Sequence, residues 1–367
     1  MEPAPGAGAE LVFMNAHGLK SSIRQFRQSA LKRVFDHKKK NTVDLKGSVK
    51  FLFDQRDNLI GDMLVNTIAF TAIKKKYPAW QIHVLAGPDN REVVRDNPYV
   101  DKVHIMAGML PSLRQLHHEK YDIYYFHKNR LRLQDFLLLK YTGARINIGR
   151  NKSNFQIFDH SLDDPGGTER DRYLEFLRFF VIDGSSYGYD FPLSHEELAR
   201  ARSYLSALPG QSTIVFNRYG DRSGKLFSKG VTCKLIIELN LAYPDVKIIM
   251  LCPPAYRVQT LEIKQELGFS NVYAATHIAT IRDSAAIISI SDGVVTPDTA
   301  IVHIACAYDK PQVCVYRDQG ELALWRPFSK KAVCLLPVSP SRDVNDLDMK
   351  AFRQALATMR NQCPAGG

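Results

Sequence analysis

No apolar run in the 367-residue sequence approaches the ~18–20 residues that a membrane span requires. The best stretches, Val246–Cys252 and Ile281–Ile290, are short and broken by polar positions. Six cysteines occur, all from Cys233 to Cys363, and none forms a CxxC pair. That spacing excludes a zinc ribbon and a secreted disulfide scaffold, and it fits free buried thiols in a reducing compartment. Met1–Glu10 holds two acids and no Lys or Arg, so the basic start of a secretory signal is missing. No GxxxxGK[ST] phosphate loop occurs, and no helix-turn-helix, zinc-finger or RNA-recognition signature accompanies the basic residues. Nucleic acid is therefore not an expected partner.

The composition is that of a globular protein, with 45% hydrophobic and 24% charged residues. The length suits two domains, each large enough to bury its own core. Lys and Arg number 49 against 38 Asp and Glu, a formal charge of +11. Eight of those bases and a single acid, Asp36, fall between Lys20 and Lys40. In the same segment Leu19, Ile23, Phe26, Ala30, Leu31, Val34 and Phe35 recur at three- and four-residue spacing, which predicts a basic amphipathic helix. Such a helix either lies on an anionic membrane surface or acidic partner, or docks on its own domain with a solvated polar face.

From Gly47 onward short apolar runs alternate with helical stretches. The pattern predicts strands at Val49–Phe53, Gln81–Ala86, Val100–Met106, Asp122–Phe126 and Arg145–Gly149, with a helix over Gly61–Tyr77 among the intervening ones. A polar, turn-rich region from Asp163 to Gly188 marks the approach to a domain boundary. Beyond Ser194, an N-cap with Glu197 at the capping-box position, the alternation resumes through Thr213–Asn217, Val246–Leu251, Asn271–Ala274 and Gln312–Tyr316. The expected fold class is α/β: two doubly wound, Rossmann-like domains over 47–188 and 189–367, with residues 1–46 as a basic extension and the last helix packing back on the first domain. Ligands in such folds sit beyond the carboxyl ends of strands, which directs attention to the loops after Phe53, Phe126, Asn217 and Val295.

Two strand–turn–helix junctions stand out. Ile60-Gly61-Asp62 opens a helix after the first strand, with glycine expected to make the turn and the helix dipole favouring an ionised Asp62. One glycine there cannot serve as a GxGxxG dinucleotide fingerprint. The second junction, Thr296-Pro297-Asp298-Thr299-Ala300, begins a small-residue helix. Its backbone N–H groups suit an anionic diphosphate, Asp298 suits sugar hydroxyls, and His303 follows Thr299 on the same face.

Gly61-Asp62-Met63-Leu64-Val65-Asn66-Thr67-Ile68-Ala69-Phe70, continued by Ile73-Lys74-Lys75-Lys76-Tyr77-Pro78, resembles the opening motif of family 9 glycosyltransferases, the bacterial lipopolysaccharide heptosyltransferases. Thr296–Ala305 resembles their Asp-Thr-Gly-x-x-His signature, with Ala300 in place of the glycine. The resemblance runs from about Val49 to Phe328. It implies a GT-B fold, two Rossmann-like domains facing a cleft, and an inverting transfer of heptose from ADP-heptose to the Kdo–lipid A inner core without an essential metal or other cofactor. Asp62 would then be the general base. Asn217, Lys225, Thr296, Asp298, Thr299, Ala300 and His303 would bind the donor, with Lys225 in a partial match to a Lys-x-Trp-Pro-like segment. Arg56, Gly61, Lys128 and Arg130 would meet an anionic, lipid-linked oligosaccharide acceptor. The implied location is the cytoplasmic face of the inner membrane, with residues 20–40 on the membrane surface. Two alternatives keep the same scaffold: a transferase acting on protein, disfavoured by the missing cysteine-rich insert, and a non-catalytic sugar-nucleotide or membrane-surface binder.

Overall fold

The computed structural model describes residues 31–37, 47–106, 108–220 and 224–362. The chain divides into two units. The first comprises Met1–Asp54, Ala79–Leu85 and Met106–Asp164, and the second Gln55–Pro78, Ala86–Ile105 and Pro165–Gly367. The elements in chain order are β1 (Lys50–Gln55), α1 (Ile60–Lys76), β2 (Gln81–Ala86), α2 (Arg91–Val94), β3 (Lys102–Ile105), α3 (Met109–His118), β4 (Ile123–Phe126), α4 (Leu133–Tyr141), β5 (Ile146–Arg150) and β6 (His160–Leu162). They continue with α5 (Glu169–Phe179), α6 (His195–Ser206), β7 (Thr213–Phe216), α7 (Lys229–Ala242), β8 (Lys247–Leu251), α8 (Arg257–Leu267), β9 (Val272–Ala275), α9 (Ile281–Ser289), β10 (Gly293–Pro297), α10 (Ala300–Ala307), β11 (Gln312–Val315), α11 (Gln319–Trp325), β12 (Ala332–Leu335) and α12 (Met349–Gln362).

The strands form two six-stranded sheets in the orders β3-β2-β1-β4-β5-β6 and β12-β11-β10-β7-β8-β9. Pairings such as β1 with β4 and β10 with β7 are parallel. Each sheet therefore needs helical crossovers, and its strands are covered on both faces. That is why they read as near-continuous apolar runs such as Phe51-Leu52-Phe53 and Ile248-Ile249-Met250. The doubly wound α/β class expected from the alternation is the one that forms.

In the first unit, Leu52, Tyr124, Phe126, Phe136 and Leu139 belong to one core cluster, and Leu31 and Phe35 pack against it. Residues 31–35 are helical, with the Phe35 and Phe136 rings 6.4 Å apart. Asp36 is buried and accepts a 2.8 Å hydrogen bond from the Ile157 amide. This end of the basic segment is docked on its own unit; the rest of the amphipathic helix expected over 19–40 lies outside the described residues. Val34, placed in the apolar stripe by its spacing, is 60% exposed, because only Leu31 and Phe35 face inward.

In the second unit α1 packs on α5 and α10. The almost fully buried Arg282 of α9 makes a two-point ion pair with Glu197 (2.5 and 2.6 Å) and donates to the backbone carbonyls of Glu92, Arg95 and Pro192. The Arg282 guanidinium holds the Glu197 carboxyl well below its usual range, at about 2. Glu197 also closes the capping box with Ser194 anticipated from the sequence. The last helix, α12, belongs to the second unit. Its buried stripe of Phe352, Ala355, Leu356 and Met359 belongs to the core of the second sheet, and the helix packs on β11, β12 and α7.

Candidate functional site

Within the second unit, a cavity of about 390 Å³ is lined by the loop Asn58–Asp62, by Asn217, Tyr219 and Lys225, by Leu251, Pro253, Ile281 and Ser284 beside them, by Asp298–Ile301, and by His303 and Trp325. Asp62, Gly61, Asn217, Lys225, Asp298, Thr299, Ala300 and His303, singled out from sequence, all reach it. Thr296 is fully buried just behind the wall. Arg56 shares the first loop but does not line the cavity.

The turn after β1 is made differently from the expectation. Asn58, not Gly61, carries the left-handed backbone, with φ of 62°. Asparagine tolerates this region because its short amide bonds locally. Here its Oδ1 accepts from the amides of Asp89 (2.7 Å) and Asn90 (3.1 Å), and its Nδ2 donates to Asp89 Oδ2 at 2.6 Å. Asn90 in turn donates 2.7 Å to the Gln55 carbonyl, clamping the loop at both ends. Gly61 sits within the first turn of α1, where a Cβ would come 3.4 Å from His303 Cδ2 and 3.8 Å from Ala300 Cα. Its small size sets how closely α1 approaches α10. Leu59, at the N-cap of α1, offers no side-chain cap, and Asp62 is the acid of that first turn.

The register of β7 against β10 pairs Phe216 with Val295, so Asn217 falls beside Thr296. Asn217 Nδ2 donates to Thr296 Oγ1 at 3.0 Å and to the Tyr219 carbonyl at 3.0 Å. Thr299 caps α10, its hydroxyl accepting from the Ile301 amide at 3.2 Å, and the Asp298 amide is bonded to the Val315 carbonyl. The amides of Thr299 and Ala300 have no acceptor among the described residues and lie at the cavity wall. Lys225 is buried, its Nζ 2.6 Å from Asp298 Oδ2 and 3.2 Å from Glu321 Oε2. Arg317 holds the other oxygen of Glu321 at 2.6 Å. Gly220 is required where it stands, since a Cβ there would fall 2.4 Å from the Lys225 carbonyl.

His303 is 3% exposed, and its Nδ1 has no hydrogen-bond partner in the described residues. Burial, aided by the Lys225 charge, pushes its pKa down to about 4, so the ring is neutral at pH 7. The rings of Trp325 and Tyr189 each stand 5.7 Å from it.

The other two candidates belong to the first unit. Lys128 is paired with the fully buried Asp54 (3.4 Å), which also accepts a 2.8 Å bond from the Tyr124 hydroxyl, while Arg130 is exposed. Sequence reasoning missed Asn58, Tyr219, Glu321 and Trp325. A turn-favouring Asn after a strand was a usable signal for the first; nothing local marks the others.

The family model described as Glycosyltransferase family 9 (heptosyltransferase) matches residues 112–350, well over half of the chain. The chain belongs to glycosyltransferase family 9. The match includes the Lys225 loop and the Thr296–Ala305 junction, while the Asp62 junction precedes it. Among relatives, lipopolysaccharide heptosyltransferase 3 of Escherichia coli is 21% identical over 323 residues, covering 80% of this chain and 93% of its own. Two solved structures of family members share the fold. The ADP-heptose lipopolysaccharide heptosyltransferase II of E. coli gives a TM-score of 0.69 at 17% identity, over 86% of this chain and 99% of that one. The E. coli heptosyltransferase WaaC with ADP gives 0.66 at 16% identity, over 84% and 99%. The GT-B class expected from the sequence is thus the class of this glycosyltransferase.

Proposed function

We propose that this glycosyltransferase moves a heptose from ADP-heptose to an anionic, lipid-linked acceptor of the lipopolysaccharide inner core, with inversion and without an essential metal. The observation that carries the reading is that Asp62 and the Lys225–Asp298 pair line one cavity although Asp62 and Lys225 stand 163 positions apart in the chain. Asp62 supplies what an alcohol nucleophile lacks, a group to accept its proton as the new bond forms. The leaving nucleoside diphosphate is an anion of its own, so the protein's task at that end is to stabilise charge. Lys225 and the Thr299 and Ala300 amides would supply that stabilisation, and this cation in the wall is the reason no metal is invoked. Tyr219, Leu251, Pro253 and Ile281 give the cavity an apolar wall suited to a flat base. Asn217 organises Thr296 and Thr299 behind the diphosphate position rather than competing for it. Lys128 and Arg130 remain the candidates for acceptor carboxylates and phosphates, with Lys128 taking part only if it exchanges Asp54 for a ligand.

The test is a thermal-shift screen of ADP-heptose against other nucleotide sugars, followed by turnover on a truncated core acceptor with and without EDTA. Stabilisation by ADP-heptose and EDTA-insensitive transfer are expected. Stabilisation by a different nucleotide sugar alone would replace the donor assignment, and loss of turnover in EDTA would remove the metal-free one.

A further inference from the structure

Among the described residues, no helix is long and apolar enough to cross a membrane. Even so, the first unit carries a face of unusual character. On α3, Leu110 is 75% exposed, and Arg114, four residues on, is exposed on the same helical face. On α4, Leu133 is 47% and Tyr141 48% exposed, eight residues apart and so on one side, with Lys140 between them and also exposed. The helices are neighbours at their C-terminal ends, where His117 Nδ1 lies 3.2 Å from the Tyr141 carbonyl. The docked turn 31–35 continues the surface: Lys140 stands over the Phe35 ring, while Lys32 and Arg33 are exposed and Val34 projects outward.

No acid in the described part of residues 108–145 is exposed: Glu119 and Asp122 are half-buried and Asp135 is buried. Another exposed apolar group among the described residues, Ile237 and Leu241 on α7 with Val258 and Leu261 on α8, is interleaved with the exposed acids Glu262 and Glu266. Projecting leucines and a tyrosine set among bases, with acids withdrawn, match an interface that is negative at its surface and apolar beneath it.

We propose that this face, formed by residues 31–35, α3 and α4, docks the protein on an anionic phospholipid surface. Leu110 and Leu133 enter below the headgroups while Arg114, Lys140, Lys32 and Arg33 meet the phosphates. The inference deepens the functional reading, since it rests on an acceptor that is lipid-linked, and it moves the membrane contact expected of residues 20–40 onto the folded domain.

Co-sedimentation of the full chain with vesicles of phosphatidylcholine and phosphatidylglycerol (3:1), against pure phosphatidylcholine, tests it. Binding to the anionic vesicles alone, falling as salt is raised, is expected. R114A/K140A should bind roughly 30-fold more weakly at low salt, at about 1 kcal/mol per base near the surface. L110S/L133S should also lose binding, and the full-chain K20A/R24A/R27A should stay within about threefold of the unmodified protein, a band chosen well below the per-base factor. The proposal is overturned if R114A/K140A and L110S/L133S bind normally, if neutral vesicles bind equally, if only K20A/R24A/R27A fails, or if size-exclusion shows the same residues holding two copies together. Turnover on a delipidated soluble acceptor, measured alongside, separates the two readings. Transfer without vesicle binding removes this surface and leaves the function, whereas vesicle binding without transfer of any sugar does the reverse.

Discussion

Two helix starts meet at the cavity, and they are built in opposite ways. At α10 the chain is capped from within but keeps amides to offer: Thr299 caps Ile301, the Asp298 amide is spent on β11, the Asp298 carboxylate holds Lys225, and the Thr299 and Ala300 amides have no acceptor among the described residues. At α1 the N-cap is Leu59, which can cap nothing, and the first turn presents Asp62. The capped start carries a cation and two amides without acceptors, which suits holding an anion in place. The uncapped start carries an acceptor of protons, which suits chemistry. Sequence position would have assigned both to the same role, since each follows a buried strand and opens a helix.

The most direct challenge to this division is at Asp62. D62N should lower turnover by roughly 10²- to 10⁴-fold while donor affinity, measured by calorimetric titration, stays within a few-fold. Equal loss of donor affinity would mean that the α1 start binds rather than reacts. A second prediction concerns His303 of α10, whose ring lies 3.4 Å from where a Cβ on Gly61 of α1 would stand. Its folded pKa of about 4 lies below the ordinary 6.5, so the unfolded chain binds the extra proton first as pH falls. The contribution is therefore complete above pH 6.5 and is lost as pH drops toward 4, by up to about 3 kcal/mol. Urea unfolding at pH 7, 5.5 and 4.5 should show H303Q losing less stability over that interval than the unmodified protein; parallel losses would locate the titration elsewhere.

Lys225 probes the α10 side. K225M should weaken donor binding by about 10- to 100-fold, the scale of a charged hydrogen bond, with K225R partly restoring it. Retained donor affinity in K225M would leave the lysine as a structural partner of Asp298 and Glu321 only. The smallest effect is expected for T299A, about 1 kcal/mol of stability from the lost cap, with no matching change at α1 because no cap exists there to lose. Chemical denaturation is sufficient to read it.

The strands and most of the long helices were legible because parallel strands buried on both faces and helices with one apolar stripe leave different periods in the sequence. The strand Gln81–Ala86 was located residue for residue. The short elements α2, β6, α11 and β12 left no such mark, since three to seven residues cannot display a period. The same holds for the site. Asp62, Asp298 and His303 lie in motifs, whereas Glu321 and Trp325 sit on a seven-residue helix after β11, and Trp325 reaches the cavity and Glu321 reaches Lys225 only because β11 lies beside β10. Gly61 was found for the wrong reason: the turn belongs to Asn58, and the glycine matters through its distance to His303.

The alternation of elements, the two junctions at strand ends, the family and the surplus of positive charge are all written in neighbouring residues, so the order of the amino acids was enough to reveal them. It took the folded chain to show that α1 packs on α10, that Lys225 is held between two carboxylates, and that α3 and α4 each expose a leucine and a base. Those facts depend on strand order and helix packing, which bring together residues that no local spacing relates.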